Sequence, residues 1–112
     1  MIDKELVAAS SRPLVLSVLA EGESYGYALI QRVRELSGGQ LQWSDGMLYP
    51  VLHRLEKEGL IESSWRAAET GRRRRYYRIH EAGRTELVRQ RQQWSAVHDA
   101  LLKLWEARVC PI

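Results

Sequence analysis

The last quarter of the chain constrains the fold most. In EAGRTELVRQRQQWSAVHDALLKLWEAR, residues 81–108, the side chains of Leu87, Trp94, Val97, His98, Leu101, Leu104 and Trp105 fall on one face at 3.6 residues per turn. The spacing predicts a single helix about 40 Å long at 1.5 Å per residue. The whole chain has 112 residues, the size of one domain, whose compact diameter is roughly 26 Å. Such a helix overhangs the body it belongs to. Two tryptophans on the overhanging stripe would meet water in a single chain, so the pattern implies a partner surface.

Upstream, the punctuation is regular. ELVAASSRPLVLSVLAEG reads as a helix ending near Glu21 and Gly22, with Leu14, Leu16, Val18 and Leu19 in its apolar second half. Pro13 has no N–H to donate. A helix kinked there, or one in two parts with Ser11 as the N-cap of the second, is expected. ESYGYALIQRVRELSGG follows as a second helix, with Ser24 as cap, an apolar stripe of Leu29, Ile30, Val33 and Leu36, and a stop at Gly38 and Gly39. After a short extended link, WSDGMLYPVLHRLEKEGL gives a third helix. Ser44 is its N-cap candidate, Leu48, Val51, Leu52 and Leu55 its buried stripe, and Gly59 its end. Pro50, about one and a half turns in, costs this helix a backbone hydrogen bond.

Beyond Gly59 the period changes from 3.6 to 2. LIESSWRA and RRRYYRIH read as two strands of a hairpin closed by AETG, with Gly71 at the flexible position. The fold class is therefore mostly α with a β-hairpin (α+β). Helix, helix, helix, strand, strand is the layout of a winged helix-turn-helix, here at residues 1–80, followed by a long C-terminal dimerisation helix at 81–112. In such modules the third helix enters the DNA major groove and the hairpin follows the adjacent backbone.

Net charge is only +3, but it is unevenly distributed. Between Arg66 and His80 stand six arginines against the single acid Glu69, so the rest of the chain is net negative. A basic stretch of this kind is expected where one surface meets a polyanion. Arg72, Arg73, Arg74 and Arg75, at the hairpin tip and returning arm, are candidates for phosphate contacts and hence for salt-dependent, sequence-independent affinity. On the third helix, Gly46, Pro50, His53, Arg54 and Lys57, with Met47 and Tyr49 beside them, lie opposite the apolar stripe. The Ser44 end has free N–H groups suited to a phosphate. A polar face turned to water accounts for the same helix pattern. The two basic features together favour DNA. A protein-docking winged helix, which has no need of an arginine-rich wing, and an RNA-binding module are the alternatives.

Other chemistry is not expected. His53, His80 and His98 share no metal-ligand spacing with Cys110, and no cofactor is implied. No nucleophile–base pair, carboxylate dyad or phosphate loop appears, so an enzyme is not expected. No apolar run approaches the ~18 residues of a membrane span, and the N-terminus lacks the order of a secretory signal. A lone cysteine, read as a bystander, fits a reducing cytoplasm.

Three segments, YGYALIQ, GMLYPVLHRLEKEGLI and GRRRRYYRIHEAG, resemble the signature segments of PadR-family transcriptional regulators. The resemblance extends from Leu14 to about Trp105. The single last helix is similar to that of the short subfamily, to which multidrug-binding repressors belong. It implies a homodimer in which first and last helices pack together, so that two third helices read a near-palindromic operator in double-stranded DNA. It sets Tyr49, of the Leu-Tyr-Pro motif, at the DNA surface, and Tyr25 joins the DNA-binding candidates through the YGYALIQ segment. QQWSAVHDAL resembles the part of the last helix that lines a dimer-interface pore in drug-sensing members. There Trp94, with Val97, His98, Leu101 and Trp105, would sandwich a planar aromatic effector, and Pro13 on the first helix would reshape the pore.

Overall fold

The computed structural model describes residues 1–109. Its elements are α1 (Lys4–Glu21), β1 (Ser24–Tyr25), α2 (Gly26–Leu36), α3 (Asp45–Lys57), β2 (Ile61–Ala67), β3 (Arg73–Ile79) and α4 (Glu81–Val109). The strands form one antiparallel sheet in the order β1-β3-β2. This is a winged helix-turn-helix with a long C-terminal helix. Cys110 lies outside the described residues. Among the described residues no helix is long and apolar enough to cross a membrane.

The core forms where three helices meet the base of the hairpin. Val15, Leu16 and Leu19 of α1 pack with Leu29 and Val33 of α2, with Leu48, Leu52 and Leu55 of α3, and with Ile61, Tyr77 and Ile79 of the sheet. Each fully buried leucine contributes roughly 1.5–3 kcal/mol, so this cluster supplies most of the cohesion of the body. Arg12 ties α1 to the end of α3. Its guanidinium makes two hydrogen bonds of 2.9 Å to the Glu58 carboxylate, and this pairing holds that carboxyl below its ordinary range.

Three local expectations are corrected. The first helix is neither capped at Ser11 nor split; α1 runs unbroken through Pro13. Pro13 has no N–H to give to the Ala9 carbonyl, and Ser11, buried, donates its hydroxyl to the Ala8 carbonyl 2.8 Å away. Ser24 does not cap α2. It pairs with Tyr77 in the sheet, as Tyr25 does with Tyr76, so Tyr25 takes the capping position without a side-chain bond. Leu36, placed in the buried stripe, is 56% exposed, because α2 ends there and the core has already closed over Leu29 and Val33.

The third helix follows its sequence closely. The Ser44 hydroxyl accepts from Met47 N at 3.2 Å. At the other end Gly59 takes φ +77°, and the Gly59 and Leu60 amides bond back to Glu56 and Leu55 at 3.0 Å each. This is a Schellman stop, which turns the chain straight into β2. The α4 helix, about 43 Å long at 1.5 Å per residue, extends well past the body. The long axis of the molecule is 64 Å against 28 and 21 Å across. Leu87 packs on the core, whereas Val97, Leu104 and Trp105 are 52–65% exposed.

Candidate nucleic-acid interface

Burial of Leu48, Leu52 and Leu55 decides what α3 shows to solvent. Gly46, Tyr49, Pro50, His53, Arg54 and Lys57 are all exposed, with Ser44 at the capped end and Met47 half-buried. Two acids at the far end of the helix are already engaged. Glu58 is held by Arg12, and Glu56 accepts from the Ser63 amide and hydroxyl at 3.1 and 2.7 Å and from Arg75 at 3.1 Å. Among the described residues Arg54 and Lys57 have no carboxylate at ion-pair distance. The outer face is thus positive beyond Asp45.

The hairpin sorts its arginines into two groups. Arg66 pairs with Glu23 at 2.6 Å, Arg75 with Glu56, and Arg78 with Glu62. Arg75 also donates to the Ser63 hydroxyl at 2.9 Å, so it clamps the wing to α3. Among the described residues Arg72, Arg73 and Arg74 have no carboxylate partner. Aromatic rings hold two of them. Arg74 lies 3.9 Å over the Tyr25 ring and Arg73 5.6 Å from the centre of Trp65, contacts worth about 0.5–1 kcal/mol at exposed sites. A stacked guanidinium keeps its N–H edge free for an anion.

While Ser44, Met47 and Arg54 line a separate groove beside α1, the fold brings the start of α2, Tyr49 of α3 and the wing around one concave surface of about 470 Å³. Tyr25, Tyr49, Arg73, Arg74 and Arg75 line it, and two residues join them that sequence reasoning missed as site residues, Tyr27 and Trp65. Trp65 reads as a core-facing strand residue, because it alternates in phase with Ile61. The strand outruns the core, however, and Trp65 is 55% exposed between Arg73 and Arg75. Tyr49 leans on the backbone of α2: a Cβ on Gly26 would lie 2.6 Å from its hydroxyl oxygen.

The second group of candidate residues lies apart, on α1 and α4. Trp94 and Pro13 share a shallow cavity of about 240 Å³ with Leu14. Val97, His98, Leu101 and Trp105 continue along α4 beyond it and are exposed.

Similarity to known proteins agrees with this architecture. The family model described as the transcriptional regulator PadR-like family matches residues 15–89. The transcriptional regulator Rv3488 of Mycobacterium tuberculosis is 42% identical over 89 residues, spanning 80% of this chain and 79% of that protein. A transcriptional regulator from Clostridium thermocellum superposes with a TM-score of 0.82 at 30% identity, covering 92% of this chain and 97% of that one. A PadR-family transcriptional regulator from Eggerthella lenta does so with a TM-score of 0.74 at 35% identity, over 91% and 87% of the two chains. Fold, sequence and family match converge: the chain belongs to the PadR-like family of transcriptional regulators.

Proposed function

We propose that the chain is a homodimeric repressor that binds a near-palindromic operator in double-stranded DNA and acts in the cytoplasm. Residues 1–80 form the DNA-binding part and 81–112 the dimerising part. One observation carries the reading. The three arginines of the wing left without acid partners stand beside an α3 face whose C-terminal acids are neutralised within the fold. Tyr49, His53 and Arg54, on the exposed face of α3, read base edges, while Arg72, Arg73 and Arg74 hold phosphates. The exposed stripe of α4 supports dimerisation, because an apolar surface of that length is seldom left open to water. Fluorescence anisotropy with duplex DNA at two salt concentrations tests the proposal. Binding that weakens steeply with salt is expected; no binding at low salt would favour a protein-docking role, and stronger competition by RNA would favour an RNA-binding one. Selection from random duplexes should return two-fold symmetric sites.

Gly26 offers a cleaner test of Tyr49. Alanine at the first position of a helix is well tolerated, but its methyl would displace the Tyr49 hydroxyl. Gly26→Ala is expected to leave the melting temperature within a few degrees and to lower specific DNA affinity about fivefold or more, as removal of one base or phosphate interaction does. An unchanged affinity would remove Tyr49 from the interface.

Release from DNA involves an effector. A planar aromatic molecule stacked on Trp94 between two protomers would release DNA if it favoured one spacing of the α3 helices over another. In the Trp94→Ala variant, quenching of protein fluorescence by a planar aromatic dye should disappear; quenching that persists would assign the dye to another tryptophan.

A further inference from the structure

The wing is a stiff arm on a narrow base. β2 and β3 pair in unbroken register from Ile61 with Ile79 at the base to Ala67 with Arg73 at the far end. The turn is closed by the Gly71 amide, 2.9 Å from the Ala68 carbonyl, and by the Ala68 amide, 2.7 Å from the Arg72 carbonyl. The base is seated in the core through Ile61, Tyr77 and Ile79, whereas residues 64–67 of β2 are exposed. From Ser63 to Ala67 the arm runs about 13 Å at 3.3 Å per residue. A tilt of about 10° at Ser63 would displace its end by roughly 2 Å, enough to break a hydrogen bond to a phosphate.

One side chain of α3 meets the arm where it leaves the core. The Glu56 carboxylate accepts at Oε2 from the Ser63 amide at 3.1 Å and hydroxyl at 2.7 Å, and at Oε1 from Arg75 at 3.1 Å. Arg75 also donates to Ser63 Oγ at 2.9 Å, which closes a triangle. Ser63 lies in β2 and Arg75 in β3, so one carboxylate holds both strands. Among the described residues no other α3 side chain hydrogen-bonds to the hairpin. Both oxygens of Glu56 are thus turned to the wing. Phosphate contacts place a protein on the duplex, and base contacts specify the sequence. A wing held at one angle lets α3 reach its bases only when residues 72–74 meet the right phosphates. A loose wing grips the phosphates of any duplex, whatever the depth of α3.

We infer that Glu56 is a positioning residue, which fixes the wing against α3 and thereby sets how far the protein prefers its operator to other DNA. The inference rests on the operator-binding reading above. Charge alone predicts the opposite effect of removing Glu56, namely tighter binding to every duplex, because a carboxylate leaves a surface that meets a polyanion. Lost stability alone lowers the folded fraction for all duplexes alike and leaves their affinity ratio unchanged. The Glu56→Ala protein is therefore titrated by fluorescence anisotropy with the duplex returned by selection and with a scrambled one. The affinity ratio should fall about tenfold, the equivalent of one mismatched base pair. Glu56→Gln keeps an acceptor for Ser63 but no charge for Arg75 and should lose less, about threefold. Relaxation measured by NMR without DNA should show order parameters of residues 64–74 falling from about 0.85 toward 0.6 in Glu56→Ala. An unchanged ratio in a folded Glu56→Ala protein would overturn the inference, as would unchanged order parameters. So would a uniform gain in affinity with a salt slope steeper by about 0.9, which would make Glu56 a mask over Arg75. A parent protein that binds neither duplex would overturn the function proposed above and the effect on preference with it. A parent that discriminates no better than Glu56→Ala would overturn this inference alone.

Discussion

Replacing Gly83 by alanine should destabilise the protein by roughly 1–3 kcal/mol, the usual cost of forcing a methyl into a closed site. Helix propensity alone gives the opposite sign, since alanine in a helix is favoured over glycine by up to about 1 kcal/mol. The difference lies in what α4 rests on. A Cβ at Gly83 would overlap the backbone carbonyl oxygen of Leu60 and stand 2.7 Å from Ile79 Cγ1. That carbonyl is fixed, because it accepts from the His80 amide at 2.9 Å. Neither neighbour is the free end of a flexible side chain, so α4 itself must shift. Urea denaturation of the variant should show a lower midpoint with an unchanged slope. A midpoint at or above that of the parent would mean that α4 is not seated there. The same close approach also sets the angle at which α4 leaves the winged helix. Sedimentation of a still-folded Gly83→Ala protein should therefore show weaker self-association, if the overhang is the dimerising surface.

The second large effect concerns the wing. Arg73→Ala with Arg74→Ala should lower affinity for every duplex alike and flatten the dependence of log K on log salt by about 0.9 for each phosphate no longer neutralised. Neither guanidinium is committed to a carboxylate among the described residues, so the stability lost should be limited to their stacking on Trp65 and Tyr25, about 1–2 kcal/mol together. Arg75→Ala is the informative contrast. Arg75 bridges Glu56 and Ser63, so its loss should loosen the hairpin from α3 and lower the melting temperature. Parallel melting curves and salt titrations separate the two outcomes. An unchanged salt slope in the double variant would remove the wing from the DNA interface. A slope that falls equally for Arg75→Ala would mean that its ion pair opens on binding.

These contrasts mark the limit of what arginine counting can tell. The run GRRRRYYR presents adjacent positive charges as equals. In the fold, Arg66, Arg75 and Arg78 meet acids 43, 19 and 16 residues away in the chain, and among the described residues the arginines that the hairpin leaves without a carboxylate are those at 72–74. Periodicity likewise cannot tell Trp65 from Ile61. Both occupy the same face of β2, and only the position of the core edge makes one buried and the other exposed.

The sequence by itself determined the α3 helix with its Ser44 cap and Gly59 stop, the hairpin, the overlong α4 and the family. Each of these is written in local rules, in hydrogen bonds within a few residues and in a repeat that buries one face. Only the tertiary structure decided that Ser24 and Tyr25 join the sheet, that α1 continues through Pro13, which arginines remain unpaired, and that Gly26 and Gly83 are sites of close approach. Those outcomes depend on atoms that meet only once distant segments have packed, where a single carboxylate or carbonyl oxygen within a few ångströms outweighs any local preference.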